Sequence, residues 1–222
     1  MKKLLRKIAH PVFRRYYNWY HRKPRNYSYR GTTVPVYPGV FSPHFTTTTK
    51  NFLEFLKTKE LKQMKLLELG CGCGIISAYA WKRGADVTAT DISPVAVGYF
   101  KKFTEKQGMA IDVIHSDLLD NVSVNEFHYV IINPPFYPKL PKNDTEKAWY
   151  CGERFEYFEK LFYQLGISPK NQATVWMILS EDCDIEKIKS IASKNNLHLT
   201  LQKEIRKWNE VNYIFEVACD KN

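Results

Sequence analysis

Features that would define several other classes of protein are missing from this 222-residue sequence. No apolar stretch approaches the roughly 20 uninterrupted residues of a membrane-spanning helix. Arg6 and Lys7 interrupt the short apolar run near the start, which argues against a secretion signal. The five cysteines follow no C-x-x-C spacing and have no histidine cluster beside them, as a structural zinc site would require. We therefore expect a cytoplasmic protein without a metal site.

Acidic residues are absent from positions 1–30, where ten Lys or Arg residues occur. The whole chain has 33 basic and 23 acidic residues, so the net charge of +10 lies in this segment, which we call the basic arm. Its interleaved aromatic residues suit phosphate contact and base stacking, so RNA or another anionic surface is a candidate partner. The alternative is an amphipathic first helix, with the apolar residues from Leu4 to Phe13 packed on the protein and the cations in water, and aromatic residues at helical spacing favour this alternative. The aromatic residues are Phe13, Tyr16, Tyr17, Trp19, Tyr20, Tyr27 and Tyr29.

Short apolar runs alternate with longer amphipathic segments from Thr46 onward, which predicts an α/β protein whose parallel sheet has helices on both faces. Two further strands in the tail leave no room for a helix between them and should pair antiparallel. The proline-rich segment before Thr46 is expected to be a strand or a covering loop. We divide the chain into an N-terminal part, 1–44, and a catalytic domain, 45–222. The predicted strands lie at 65–69, 86–90, 111–115, 127–132 and 173–179, and the helices at 74–83, 94–107, 153–165 and 184–195.

A glycine loop follows the strand 65–69, with Gly70, Gly72 and Gly74 spaced G-x-G-x-G. In an open α/β sheet, a ligand binds where a strand ends and the next helix begins. Asp91 ends the next strand, 21 residues after Gly70. Its carboxylate is placed to accept hydrogen bonds from both hydroxyls of a ribose, and a helix-capping role is compatible with that function.

Glu68 distinguishes this glycine loop from the loop of dinucleotide-binding proteins. A carboxylate two positions before Gly70 would repel a pyrophosphate but attract an ammonium group, and the G-x-x-G spacing of the dinucleotide fingerprint is absent. S-adenosylmethionine carries such an ammonium, so the loop predicts this cofactor. The adjacent residues Cys71 and Ile92 are included as cofactor-binding candidates.

The most specific motif is N-P-P-F, Asn133 to Phe136, at the end of the strand 127–132. A planar amide or aromatic amine nitrogen is a poor nucleophile, and accepting both of its N–H bonds draws it toward tetrahedral geometry. The Asn133 side-chain oxygen and the Pro134 carbonyl can accept these two bonds, with Pro135 holding the carbonyl rigidly. Phe136 can stack on the flat face of the substrate. We therefore predict transfer of a methyl group to an NH2 nitrogen.

Glu68, the three glycines and Asp91 together resemble the nucleotide loop of class I S-adenosylmethionine-dependent methyltransferases. The resemblance implies a Rossmann-like sheet of seven mostly parallel strands with an antiparallel strand at its C-terminal end. In these enzymes an acid or amide one strand further on binds the adenine amino group. Asp117, followed by Leu118, matches that position, although a surface-loop aspartate is the alternative.

The N-P-P-F motif resembles that of amino-methylating enzymes, and three segments are similar to the HemK-like protein-glutamine N-methyltransferases. The segments are P-G-V-F-S-P at 38–43, the cofactor half from L-L-E-L-G-C-G-C-G to A-T-D-I-S-P, and A-W-Y-C-G-E-R-F at 148–155. Family members that act on release factors usually have Tyr in place of Phe136. N-P-P-F also occurs in ribosomal RNA guanine N-methyltransferases.

Three functional hypotheses follow. The first is methylation of a protein glutamine that docks between the basic arm and the loop 137–152. The second is methylation of an RNA base, guanine or adenine, with the arm contacting the RNA. The third is a non-catalytic binding module, which the intact Glu68, Asp91 and Asn133 disfavour.

Overall fold

The computed structural model describes residues 15, 19–20, 22–168, 173–207 and 210–219. We number its strands and helices over these residues in chain order. The strands are β1 (Arg25–Tyr29), β2 (Thr32–Val36), β3 (Lys65–Leu69), β4 (Asp86–Asp91), β5 (Ile111–His115), β6 (Tyr129–Ile132), β7 (Thr174–Ser180), β8 (Leu197–Lys207) and β9 (Glu210–Cys219). The helices are α1 (Thr48–Leu56), α2 (Ile75–Lys82), α3 (Pro94–Gln107), α4 (Asp144–Lys147), α5 (Glu156–Ile167) and α6 (Ile185–Ser193). None of these helices is long and apolar enough to cross a membrane.

Seven strands form one sheet in the order β5-β4-β3-β6-β7-β9-β8. Strands β3 to β7 are paired in parallel, whereas β9 pairs antiparallel with both β7 and β8. This confirms the predicted fold class, including the antiparallel strands of the tail. The chain order reverses next to β3, which lies between β4 and β6. Loops that leave β3 and β6 therefore diverge and leave a crevice at their carboxyl ends.

Alternating side chains of the central strands divide between two cores, one on each face of the sheet. On β6, Val130 and Ile132 belong to one buried cluster and Ile131 to the other. On β7, Met177 lies in the first cluster and Ile178 in the second. A strand buried on both faces needs apolar residues at every position, which explains the uninterrupted apolar runs in the sequence.

Two predicted elements start more than one residue later in the structure. The strand predicted from residue 127 starts at Tyr129, and the preceding His128 accepts a hydrogen bond from the Lys65 backbone N–H through Nδ1, at 2.9 Å. The helix predicted from residue 153 starts at Glu156, because Phe155 has a φ of 66°, outside the right-handed helical region. Neither feature is visible in hydrophobic periodicity.

The segment before α1 contains an unpredicted hairpin of β1 and β2, followed by a covering segment that extends to Phe45. Tyr29 at the end of β1 is 6% exposed, and its ring lies 5.1 Å from that of Tyr79 on α2. Tyr29 is therefore part of the core, and of the two alternatives for the aromatic residues of the arm it follows packing, not base stacking. Val34 and Val36 of β2 belong to the same cluster, while the division of the chain at residue 44 stays a prediction.

Little of the basic arm is described, and the predicted amphipathic helix over Leu4 to Phe13 lies outside the described residues. Tyr20 anchors the described part, since its ring centroid lies 5.2 Å from that of Phe45. The Arg25 guanidinium lies over the Tyr20 ring at 4.7 Å. Arg22 and Lys23 are exposed beside it. Exposed cations therefore lie close to the segment 41–49, which enters α1.

The contact between Gly74 and Phe100 fixes α2 against α3 and supplies a stability prediction. Gly74 has a φ of 74°, and an added Cβ would lie 2.2 Å from the Phe100 ring. We expect Gly74→Ala to destabilise the protein by about 3 kcal/mol, from overpacking and a left-handed backbone together. Urea unfolding at fixed pH measures this change.

Gly98 is the matched control, because it lies inside α3 and its added Cβ would meet nothing within 4 Å. Gly98→Ala should stabilise the protein by about 0.5 to 1 kcal/mol through helix propensity. Equal effects of the two substitutions would contradict this account of Gly74.

Candidate functional site

A cleft of about 430 Å³ opens at the carboxyl ends of β3, β4 and β6, where the chain order reverses. Its volume is within the range of small-molecule sites. Every predicted site residue except Gly74 lines it, although these residues come from four separate parts of the chain. They are Glu68, Gly70, Cys71, Gly72, Asp91, Ile92, Asp117, Leu118, Asn133, Pro134, Pro135 and Phe136.

The glycine loop is held by β4. The backbone N–H groups of Gly70 and Cys71 both donate to the Thr90 carbonyl, each at 2.8 Å. Gly70 has a φ of 74°. No atom lies within 4 Å of a Cβ built there, so the position of this Cβ is open space beside the cleft. A ligand can approach the backbone closely at Gly70. Position 74 also requires glycine, but for a different reason: a Cβ there would clash with the Phe100 ring, which lies outside the cleft.

Asp91 ties the glycine loop to the start of α3. Its Oδ2 accepts a hydrogen bond from the Gly72 N–H and its Oδ1 accepts one from the Ser93 N–H, both at 2.8 Å. Burial raises the pKa of Asp91, and these two hydrogen bonds partly offset that shift. Each oxygen keeps a second lone pair, so the carboxylate can still accept from a diol in the cleft. The helix cap itself is Ser93, whose hydroxyl accepts from the Ala96 N–H.

Glu68 is a carboxylate with 4% exposure on the wall of the cleft. Its Oε2 accepts hydrogen bonds from the backbone N–H of Ser77, at 2.8 Å, and from the Ser77 hydroxyl. Burial raises the pKa of Glu68 to about 8, and the neighbouring charge of Asp91 adds to the shift. A cationic group in the cleft would favour the ionised form of both carboxylates.

Asp117 is not a free surface aspartate. Its Oδ2 accepts from Lys160 Nζ on α5 at 2.6 Å, and the same lysine contacts Asp120 at 2.7 Å. The ion pair engages Oδ2 of Asp117 and holds the planar carboxylate, while Oδ1 makes no bond to Lys160. The backbone of Leu118 has a φ of 56°, and its side chain is buried against the same wall.

Asn133 follows β6 directly, and its side chain points toward the start of α1. Its Nδ2 donates to the Thr49 hydroxyl at 3.3 Å, which leaves Oδ1 as the unengaged end of the carboxamide. Pro134 is buried and Phe136 is 7% exposed, with its ring centroid 4.7 Å from that of Tyr137. The motif is therefore supported from α1 on one side and from the apolar core on the other.

The mouth of the cleft is lined by aromatic residues. The rings of Phe41, in the covering segment, and Trp149, in the loop 137–152, have centroids 5.0 Å apart. Backbone bonds close this loop on itself, with the Tyr137 N–H donating to the Trp149 carbonyl and the Cys151 N–H to the Tyr137 carbonyl. Their planes are inclined by 55°, so the two rings pack against each other as a tilted pair and leave no slot between them.

Sequence reasoning did not single out several residues that line the cleft, among them Thr49, Tyr157 and Lys160. Burial raises the pKa of Tyr157, and the charges of Asp91 and Asp117 add to the effect. Tyr157 and Lys160 are three positions apart on α5, so helical spacing could have grouped them. Nothing in the sequence indicates that this helix reaches the cleft. Within the described residues, no group of His, Cys, Asp and Glu side chains converges as metal ligands would.

The fold and the cleft define a class I S-adenosylmethionine-dependent methyltransferase. The model of the methyltransferase small domain family matches residues 31–149, which is more than half of the chain. The chain belongs to the methyltransferase small domain family, and S-adenosylmethionine is the cofactor of this class.

Curated relatives include methyltransferases named for RNA and for protein substrates. The ribosomal RNA small subunit methyltransferase C of Chromohalobacter salexigens is 33% identical over 110 residues, which cover 48% of this chain and 33% of that protein. The chain thus spans about a third of this relative. A protein of Methanocaldococcus jannaschii, provisionally named as a protein N5-glutamine methyltransferase, is 27% identical over 185 residues, covering 78% of this chain and 90% of that protein.

Solved structures from both groups share the fold. The Thermus thermophilus 16S rRNA N2 G1207 methyltransferase, in complex with AdoMet and guanosine, superposes with a TM-score of 0.59 at 15% identity, covering 90% of this chain and 50% of that one. A chain of the Encephalitozoon cuniculi complex responsible for methylation of the eRF1 termination factor superposes with a TM-score of 0.62 at 16% identity, covering 82% of this chain and 99% of that one. At these identities the similarity concerns the fold alone.

The buried Glu68 carboxyl predicts a pH-dependent stability. Its pKa is raised from 4.5 to about 8, so between these values the folded protein keeps a proton that the unfolded chain releases. This contribution to stability is complete below pH 4.5 and is lost as the pH rises through about 8. We expect the free energy of unfolding of the ligand-free protein to fall with pH across this range more steeply than that of Glu68→Gln.

Glutamine is the matched replacement, because its carbonyl oxygen can still accept both bonds from Ser77 while it cannot titrate. Urea unfolding of the two proteins at pH 5, 6, 7 and 8 gives the difference directly. Parallel curves would show that Glu68 does not keep a proton in the folded state.

Proposed function

We propose that this protein is an S-adenosylmethionine-dependent N-methyltransferase that acts on a planar NH2 group. The observation that carries the proposal is the orientation of Asn133. Its carboxamide presents an unengaged oxygen at the end of β6, in the same cleft as the buried carboxylates of Glu68 and Asp91. When bound, S-adenosylmethionine supplies an electrophilic methyl group and a positive charge.

The residues of the cleft fit that cofactor by charge and shape. Glu68 is the proposed partner of the ammonium group, because a buried carboxyl with a raised pKa gains a counter-ion there. The remaining lone pairs of Asp91 are proposed for the ribose hydroxyls. The backbone at Gly70 and Cys71 lines the space between these two carboxylates. We propose Asp117, Leu118 and Ile92 for the adenine end.

Asn133 and Pro134 are proposed to hold the substrate nitrogen. The Asn133 Oδ1 and the Pro134 carbonyl each accept one N–H bond, which localises the nitrogen lone pair for attack. Phe136 covers the flat face of the substrate. A general base is not required before transfer, since the methylated nitrogen becomes acidic and then releases its proton to water.

For the substrate, we propose a protein glutamine side chain first. The relative aligned over most of both chains carries the glutamine methyltransferase name. The paired rings of Phe41 and Trp149 would give a side-chain amide an aromatic surface to pack on, and the loop 137–152 is the proposed docking site of the surrounding peptide.

An RNA base is the second candidate substrate, because the described part of the basic arm places cations beside the cleft. Arg22, Lys23 and Arg25 are exposed, and Tyr20 attaches this segment to Phe45, two residues from the cleft-lining Pro43. A guanine or adenine amine is as planar as an amide, so the same N-P-P-F motif would bind it.

For the mechanism, we expect Asn133→Ala to lower turnover by about a thousandfold while cofactor affinity stays within about twofold, because the substitution removes an acceptor used only by the substrate nitrogen. Methyl transfer from labelled cofactor and calorimetric titration with S-adenosylhomocysteine measure the two quantities. Turnover close to that of the wild type would refute the assigned role.

Asp91→Asn serves as the converse control, since it keeps one acceptor oxygen but loses the charge. Cofactor binding should weaken by about 2 kcal/mol. An unchanged affinity would count against the ribose role of Asp91.

The substrate class is tested by incubating the protein with labelled S-adenosylmethionine and a lysate, then separating protein from RNA. We expect label in protein, in a tryptic peptide that contains N5-methylglutamine. Label in RNA would instead support the second candidate, and label in neither fraction would support the non-catalytic module.

A triple variant, Arg22→Gln, Lys23→Gln and Arg25→Gln, separates the two substrates independently. If RNA contacts these cations, the slope of log affinity for single-stranded RNA against log salt should fall by about 2. Substituting Lys101, Lys102 and Lys106 on the distant helix α3 controls for net charge. Equal losses in both variants would exclude a specific role for the arm.

A further inference from the structure

The Asn133 carboxamide has two ends of nearly the same size, and only one can accept a hydrogen bond from a substrate N–H. With the oxygen in the cleft, the group accepts; with Nδ2 there, it presents donors to another donor and repels the substrate. Nothing in the N-P-P-F motif itself selects between these orientations. The selection has to come from a neighbour of the carboxamide.

Thr49 is the neighbour that Nδ2 contacts in the structure. The Asn133 Nδ2 donates to its hydroxyl at 3.3 Å, across 84 positions of sequence. Thr49 is 4% exposed, lies in the first turn of α1 and lines the cleft. A buried hydroxyl that accepts from Nδ2 directs Oδ1 away from itself.

The position of Thr49 is itself fixed by a second contact of the same turn. Thr47, at the cap of α1, accepts from Asn212 Nδ2 on β9 at 3.0 Å, and Asn212 is fully buried. The first turn of α1 is thereby attached to the sheet through β9 and to the motif after β6. A rigidly held acceptor constrains the group bonded to it more than a mobile one does.

We propose that Thr49 is a positioning residue, which holds the Asn133 carboxamide with its oxygen toward the substrate nitrogen. This inference rests on the proposed N-methyltransferase function. It assigns Thr49 no contact with the methyl group or the cofactor.

Thr49→Val tests the inference, because valine keeps the branched shape and removes the acceptor. We expect kcat to fall about tenfold, the effect of losing one hydrogen bond, with the KM for S-adenosylmethionine unchanged. Thr49→Ser restores the hydroxyl and should recover most of the activity.

Thr104→Val is the matched control. Thr104 is also a buried threonine, 2% exposed, but it lies on α3 outside the cleft, where its hydroxyl donates to the Lys101 carbonyl at 2.8 Å. This variant should keep wild-type kcat. If Thr49→Val does not fold, as judged by its thermal transition, Thr49→Ala removes the same acceptor with less bulk.

A double-mutant cycle with Asn133→Ala completes the test. Thr49→Val should cause no further loss of kcat when the carboxamide is absent. Wild-type kcat in Thr49→Val, an equal loss in Thr104→Val, or an undiminished further loss in the Asn133→Ala background would each overturn the inference. An active Asn133→Ala variant would overturn the proposed function instead, so the two failures are distinguishable.

Discussion

The reversal of strand order beside β3 is the constraint on which the cleft depends. The loop after β3 leads to α2 and β4 on one side, while β6 lies on the other, so no connection crosses the gap between their ends. The backbone N–H groups and side chains at these ends therefore face a common space. The glycine loop, Asp91 and the N-P-P-F motif are far apart in the sequence and meet only because of this arrangement.

That space contains two buried carboxylates and, among the residues that line it, only Lys147 and Lys160 as lysine or arginine cations. Lys160 is bonded to Asp117 and Asp120, and Lys147 forms an ion pair with Asp144. Glu68 and Asp91 consequently have backbone and hydroxyl donors but no lysine or arginine partner, and burial raises both pKa values. A cationic ligand with hydroxyl groups relieves this electrostatic cost, whereas an anionic pyrophosphate would increase it. The charges of the cleft thus favour a sulfonium nucleoside before any detailed contact is considered.

Much of this site was predictable from the sequence because each part of it is a local signal. A glycine loop after an apolar run, an acid at the end of the next strand and an Asn-Pro-Pro turn are all contiguous patterns whose place in an α/β sheet follows from strand order. Thr49, Tyr157 and Lys160 carry no such signal. They reach the cleft through the packing of α1 and α5, and their chemistry depends on which side chain faces them. The hairpin of β1 and β2 was missed for a related reason, since Pro35 and the turn at Arg30 and Gly31 obscure short strands whose buried side chains pack on α2.

Selectivity for a substrate must arise outside the N-P-P-F motif. A glutamine amide and a guanine or adenine amine are all flat, and each offers two N–H bonds to the same pair of oxygens, so Asn133 and Pro134 discriminate poorly among them. The elements that differ in chemistry are at the mouth: the exposed cations of the arm, the ring pair of Phe41 and Trp149, and the loop 137–152 closed by its own backbone bonds. Phosphates would engage the first of these and a peptide backbone the last. The inner cleft therefore determines the reaction, and evolution can change the target by altering these outer elements without disturbing the carboxylates or the N-P-P-F turn.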